Sequence, residues 1–302
     1  MARLGWRRSR RLPHRNGRYS SAHFALGVCG TDREILSGQY GAAPHGEARL
    51  ILGHESLGKV ESAPRDSGLL PGDLVVGVVR RPDPVPCVIK INPALEHRGV
   101  LLEPASILAK GWEQVERIGH RTSSWQPRTL VVTGAGPIGL LAALMGAQRG
   151  LHVHVLDRHE SGVKPALVHD LGGTFHSGPI ADAIESLAPD IVRECTGAPS
   201  LIREVLGRPP PGGIICLAGI SSAGQTLDID LGWLNRALVL NNHVIFGTVN
   251  ANRRHYELAV LTRADPKWLS RLITRYVPLE RWDEALERRP DDVKVVIQFP
   301  AG

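Results

Sequence analysis

Cys29, His54 and Glu55 offer a thiolate, an imidazole and a carboxylate, the donor types that hold a catalytic zinc. They stand in Gly27-Val-Cys29-Gly-Thr31-Asp32 and in Gly53-His54-Glu55, and a further carboxylate, Glu103, stands in Leu101-Leu-Glu103-Pro104. A zinc with three protein donors keeps one position open for water or a substrate oxygen. It lowers the pKa of a hydroxyl bound there, so that hydride can leave the carbon. Thr31 follows Cys29 by two residues, and its hydroxyl is suited to pass the released proton toward solvent. Asp32 is suited to accept a hydrogen bond from His54 and to fix its tautomer. Taken singly, each residue has a plainer reading. A lone cysteine is more often a small buried hydrophobe, and a lone strand histidine is more often structural. Glu55 and Glu103 alone would read as surface or helix-start acids. The combination, ahead of the motif described next, favours a metal.

That motif is Gly134-Ala-Gly136-Pro137-Ile138-Gly139. An apolar run, Leu130 to Thr133, precedes it, and a helical stretch, Ile138 to Met145, follows it. This strand–loop–helix context turns a weak glycine pattern into a dinucleotide-binding signal. Gly134 allows the tight turn, Gly136 lets the backbone approach a pyrophosphate, and Gly139 lets the helix pack close on the strand. The helix start presents free N–H groups, Ile138's among them, to the phosphates, with Pro137, which has no N–H, fixing the first turn. A second strand ends in Asp157, 18 residues past Gly139, where a carboxylate binds a ribose. Asp157 alone favours NAD; Arg158 beside it would offset repulsion of a 2′-phosphate and admit NADP.

Positioning these residues takes two kinds of architecture. Residues 26–80 read as β-rich, with short apolar runs at Leu50 to Leu52, Leu57 to Val60 and Leu74 to Val79 separated by Gly, Pro and Asp, which suits a small barrel or sandwich. A Pro-rich stretch, Arg81 to Pro86, follows. Apolar residues at helical spacing then predict a helix over 103–118. From Thr129 strands and helices alternate. The strands are expected at Thr129 to Thr133, His152 to Leu156, Ile191 to Glu194, Gly213 to Ala218 and Val244 to Gly247. Such alternation argues for a buried parallel sheet of βαβ units. A helix at Leu279 to Leu286 and a strand at Val293 to Phe299 close the chain.

Composition is that of a globular enzyme, 42% hydrophobic and 22% charged. The formal charge of +6 comes from the start, where seven arginines fall in the first 18 residues; the remainder carries 29 basic against 30 acidic side chains. A nucleic-acid-binding body therefore does not follow from the basic pI. No apolar run suggests a membrane span. The four cysteines form no Cys-x-x-Cys pair, which argues against a disulfide scaffold and for the cytoplasm.

With these motifs in view, the chain resembles the zinc-dependent medium-chain dehydrogenases, and within them the glucose dehydrogenase branch. The matching stretches are 27–35, Leu52-Gly-His-Glu55, Leu101-Leu-Glu-Pro104, 134–139 and Val249-Asn-Ala-Asn-Arg-Arg-His-Tyr256. The resemblance covers roughly residues 26–302. It implies an α/β fold, with a Rossmann doubly wound parallel sheet over 127–248 and a GroES-like β-rich catalytic domain over 26–126 and 249–302. It also implies oxidation of an aldose such as glucose at C1. Cys29, His54 and Glu55 then surround one catalytic zinc, and Glu103 lies at the metal or the sugar. Asn250 contacts sugar or nicotinamide, and the Cys195-Thr196-Gly197 loop lies along NAD or NADP.

Two departures stand out. After Cys87, which looks like the first of four structural-zinc cysteines, the chain passes directly to Val88-Ile-Lys-Ile-Asn-Pro93, as though some forty residues were missing. No structural zinc is expected. The start, residues 1–25, is Arg-rich and expected to be a disordered tail in place of the family's opening strands. Catalytic impairment, or action on another polyol or alcohol, stays open beside the active sugar dehydrogenase. A homodimer or homotetramer follows from the resemblance, with neither nucleic acid nor membrane as partner.

Overall fold

The computed structural model describes residues 20–39, 41–43, 45–46, 50, 52–78, 88–208, 212–222, 224, 226–257 and 260–300. Cys87 and residues 1–19 lie outside them. The described strands are β1 (Ser20–Val28), β2 (Glu55–Ser62), β3 (Leu74–Gly77), β4 (Val88–Lys90), β5 (Thr129–Thr133), β6 (His152–Leu156), β7 (Thr174–His176), β8 (Ile191–Glu194), β9 (Ile214–Leu217), β10 (Val244–Gly247), β11 (Ile273–Pro278) and β12 (Lys294–Gln298). The described α-helices are α1 (Gly30–Leu36), α2 (Leu102–Gly119), α3 (Pro137–Ala147), α4 (Val163–Asp170), α5 (Ile180–Leu187), α6 (Pro199–Gly207), α7 (Leu231–Asn241), α8 (Arg253–Glu257), α9 (Pro266–Leu272) and α10 (Trp282–Leu286). The chain forms two compact units, one from residues up to Glu103 with Arg275 onward, the other from Pro104 to Thr274.

The first unit is built on a sheet of order β11-β12-β1-β2-β3-β4. β1 lies in its middle, antiparallel to β12 and β2. One face packs Val60, Val75 and Val88 together; a second cluster joins Val28, Val277, Leu279, Ala285, Val295 and Ile297. At the end of β1, Gly27 is in register with Glu55. A Cβ at Gly27 would stand 2.0 Å from Glu55 Oε2, so glycine is what leaves room for that carboxylate.

The second unit is a six-stranded parallel sheet of order β10-β9-β8-β5-β6-β7. Strand order reverses between β5 and β8, the switch point at which doubly wound folds bind ligands. Leu130, Val131 and Val132 are wholly buried, as a parallel strand covered on both faces requires. α3 is buried over most of its length, from Gly139 to Gly146.

Three expectations need correction. The tail boundary at residue 25 is too late: residues 20–25 belong to β1, where backbone pairing with β2 overrides a weak Ser/Ala/His alternation. Leu50 and Leu52 lie in no strand, because the chain there turns through Gly53, at φ 93°, to present His54. The expected domain boundaries at 126 and 249 shift to 103 and 275. α2 and residues 249–274 pack with the dinucleotide unit: His255 Nε2 lies 2.7 Å from Glu113 Oε2, and Trp268 Nε1 donates to Leu167 O at 2.9 Å. β4, β7 and β11 are short strands without a clear alternating pattern, and sequence reading passes over them.

Gly139 sits in a close approach, since a Cβ there would stand 1.7 Å from Gly134 O, a backbone atom that cannot step aside. Gly139→Ala is expected to destabilise the protein by about 1–3 kcal/mol through overpacking, despite alanine's better helix propensity. A urea-unfolding midpoint equal to the parent's would contradict this.

Candidate active site

The three donors converge in the first unit. Cys29 leaves β1 and caps α1; His54 immediately precedes β2 and Glu55 opens it. One ligating atom from each lies within 4.8 Å of the other two. Among the described residues this is the one group of three or more His, Cys, Asp or Glu side chains so clustered. A soft thiolate, an imidazole and a carboxylate fit a zinc ion by chemistry as well as by proximity.

Asp32 organises the group. Its Oδ2 accepts from Cys29 N at 2.8 Å, its Oδ1 accepts from Gly53 N at 3.3 Å, and the same Oδ1 lies 3.4 Å from His54 Nδ1. Asp32 thus faces His54, as expected, and also takes a backbone N–H from each ligand loop. Burial alone would raise the Asp32 carboxyl, but His54 and the two backbone N–H groups outweigh it and hold the carboxyl below its ordinary value. For His54, burial pulls the pKa down, yet Asp32 and Cys29 prevail and push it up to about 11. The Thr31 hydroxyl lies 3.8 Å from Cys29 Sγ, at the same loop.

Lys294 completes the buried charge set, and sequence reading missed it. It is 1% exposed, and its Nζ donates to both Glu55 oxygens at 2.6 Å and to Val28 O at 3.2 Å. Burial would lower this ammonium; Glu55, Cys29 and Glu103 raise it instead. The available signal was a lysine inside an otherwise apolar run, Val293 to Ile297. Glu103, at the start of α2, is buried; that burial, and then the charge of Glu55, push it up to about 7.

The glycine loop belongs to the second unit. Gly134 has φ 86°, and α3 begins at Pro137 with Ile138 in its first turn. A Cβ on Gly136 would meet nothing within 4 Å, so this backbone faces open space, as close approach of a phosphate requires. Asp157 ends β6, as expected, but its carboxylate is already engaged. It accepts from Ala135 N at 2.7 Å and His159 N at 3.1 Å, and lies 2.9 Å from His159 Nδ1 and 3.7 Å from Lys164 Nζ. Arg158 is exposed beside it. His159 and Lys164 were not among the expected residues; no motif spacing marks them.

Glu194, fully buried, secures the next loop: it accepts from Thr133 Oγ1, from the N–H and hydroxyl of Thr196, and from Gly197 N. Gly197 has φ 67°, and a Cβ there would lie 2.1 Å from Ile220 O. Thr196 thus spends its hydroxyl on Glu194 and Ala198 N while remaining exposed. Asn250 is half-buried with a left-handed backbone, φ 52°.

Residues 96–299 match the family model described as glucose dehydrogenase C-terminus, and residues 23–89 match the alcohol dehydrogenase GroES-like domain. Glucose 1-dehydrogenase 2 of Vulcanisaeta moutnovskia is 36% identical over 313 positions, covering 91% of this chain and 89% of that one. Glucose 1-dehydrogenase of Thermoproteus tenax is 38% identical, over 90% and 89%. The solved structure of Haloferax mediterranei glucose dehydrogenase in complex with NADP, Zn and gluconolactone has a TM-score of 0.86 at 26% identity, over 95% of this chain and 94% of that one. Because 91% of 302 residues is about 275, roughly 40 of the 313 aligned positions in the Vulcanisaeta relative have no counterpart here.

Two measurements follow from the donor geometry. Asp32→Asn is expected to weaken zinc binding about 10–100-fold, since the asparagine cannot orient both loops as an ion does. With His54 held protonated up to about 11, metal must displace that proton throughout the neutral range. Zinc affinity should therefore rise with pH between 6 and 8, by about tenfold per unit for each proton displaced. A flat profile in chelator competition would contradict it.

Proposed function

The chain belongs to the glucose dehydrogenase family of zinc-dependent medium-chain dehydrogenases, and from that membership we propose that it oxidises an aldose such as glucose at C1 to the lactone, passing hydride to NADP or NAD. The observation that carries the reading is the convergence of Cys29, His54 and Glu55 within 4.8 Å in a chain that also holds a glycine-rich dinucleotide loop.

Cys29, His54 and Glu55 hold the metal. Zinc, when bound, supplies Lewis acidity that makes the C1 hydroxyl easier to deprotonate. Thr31 Oγ1 moves that proton outward from the thiolate side. Glu103, titrating near neutrality, hydrogen-bonds the sugar and can hold a proton there. Lys294 holds both Glu55 oxygens by hydrogen bonds and so fixes how that carboxylate stands toward the donor cluster. Asn250 orients the sugar or the nicotinamide. Gly134, Gly136, Pro137, Ile138 and Gly139 seat the pyrophosphate, and Thr196 and Gly197 form a wall along the cofactor. Asp157 braces the glycine loop and meets the ribose. Arg158 and Lys164 place positive groups around it, which favours a 2′-phosphate and hence NADP.

We assign one zinc per chain and no structural zinc. The described cysteines other than Cys29, which are Cys195 and Cys216, lie in the other unit, and a single Cys87 cannot complete a four-ligand site. The reducing cytoplasm suits the free thiol of Cys29. The roughly 40 positions present in the relative and absent here favour a second reading, a dehydrogenase of low turnover or one for another polyol.

Self-association is part of the proposal. β10 is an edge strand, and nearby α7 buries none of its residues; Leu231, Val239 and Leu240 are 64–70% exposed. An unpaired edge beside an exposed apolar face is suited to an isologous pairing of two copies.

Zinc-loaded protein with glucose and NADP should produce an absorbance rise at 340 nm that Cys29→Ser abolishes together with the zinc. Absence of turnover with zinc and cofactor both bound would favour the second reading. Lys164→Gln should raise KM for NADP about tenfold and leave NAD nearly unchanged; equal losses would remove Lys164 from phosphate recognition. Light scattering should report a dimer that Leu240→Asp converts to monomer, and a parent that is already monomeric would refute the interface.

A further inference from the structure

We propose that His154 and His176 form a second metal site, open to a divalent transition ion of tetragonal preference such as Cu(II) or Ni(II), with His152 as an added donor. The site lies wholly in the dinucleotide unit and shares no residue with the Cys29 cluster.

The β-ladder places the imidazoles. β6 and β7 run parallel with His154 opposite Thr174 and Leu156 opposite His176. His152, His154 and the partner position of His176 are separated by two residues along β6, so all three side chains share one face of the sheet. β7 is the edge strand, and His154 and His176 are half-buried while His152 is exposed. An ion therefore reaches the pair from solvent.

Distance then argues for chelation. His154 Nδ1 and His176 Nε2 are 3.0 Å apart. Metal–imidazole bonds of about 2.0–2.1 Å at right angles put two nitrogens about 2.9 Å apart, so the observed spacing matches that of a cis pair. The ring planes are inclined by 34° with centroids 5.2 Å apart, so the two rings are not stacked face to face. Burial, followed by the neighbouring His176 and His152, lowers the His154 pKa, and burial lowers that of His176. Both shifts disfavour the protonated ring, the form that cannot bind a metal. His152 stands two residues before His154 on the same face of β6, where it is the candidate third nitrogen. A plain hydrogen bond between neutral rings explains the distance but not the gathering of three imidazoles on one solvent-reached face.

The test uses untagged, zinc-loaded protein, so that the Cys29 cluster is occupied. Titration with Cu(II) should add one equivalent per chain, with electron paramagnetic resonance showing coupling to at least two imidazole nitrogens. His154→Gln and His176→Gln should each weaken that equivalent about tenfold or more, and His152→Gln by less, while zinc content and 340 nm turnover stay at parent values. Should a variant fold poorly, parent crystals soaked in Cu(II) give an independent reading: an anomalous peak bonded to both His154 Nδ1 and His176 Nε2. Copper affinity unchanged by the two substitutions, no second equivalent, or a peak elsewhere would overturn the proposal. Loss of glucose oxidation alone would touch the proposed function and not this site.

Discussion

The Asp32 carboxylate, 4% exposed, is the contact on which the catalytic half depends. Cys29 and His54 come from different loops, which the β1–β2 register sets side by side. Asp32 ties these loops by taking one N–H from each and facing the imidazole itself. A buried carboxylate with three such partners is far costlier to leave unpaired than to keep, so both loops are locked to one another. The site is therefore held by strand pairing and by a hydrogen-bonded ion together.

A second constraint is charge. Asp32, Glu55, Glu103, His54 and Lys294 crowd one region of the first unit with little water. Removing either partner of the Glu55–Lys294 pair would leave an uncompensated buried ion, a defect that typically costs about 3–5 kcal/mol. The same crowding keeps Glu103 near neutrality in its titration, where a carboxyl can exchange protons at physiological pH. Gly27 makes the crowding sterically possible, because a side chain there would occupy the space of the Glu55 carboxylate.

The dinucleotide unit solves its problem with backbone instead. Close approaches at Gly134, Gly139, Gly197 and Gly219 draw the loops after β5, β8 and β9 together, and Glu194 accepts from Thr133 at the end of β5 and from Thr196 and Gly197 beyond β8. Asp157 does the equivalent service for the glycine loop through Ala135 N. Two buried or half-buried acids thus brace the loops at the carboxyl end of the sheet, where a doubly wound fold takes its ligand.

Much of this was legible in the chain. Buried parallel strands are near-continuous Val/Ile/Leu runs, and β5, β6, β8 and β10 fall within the residues expected from that pattern. Gly134, Gly136, Gly139, Cys29, His54, Glu55 and Asp32 announce themselves by type and local spacing, because their roles depend on near neighbours or on chemistry that few side chains possess. Other features were decided by the tertiary structure. Lys294 meets Glu55 across 239 residues of chain, and Lys164 and His159 surround Asp157 through the turn that follows β6. β1 begins at Ser20 because β2 and β12 supply partners on both sides, and His154 meets His176 because of the β6–β7 register. Residue type and short-range pattern specify which groups can do chemistry; which of them meet is a matter of long-range pairing, whose energy comes from burial and hydrogen bonds that exist only once the chain has folded.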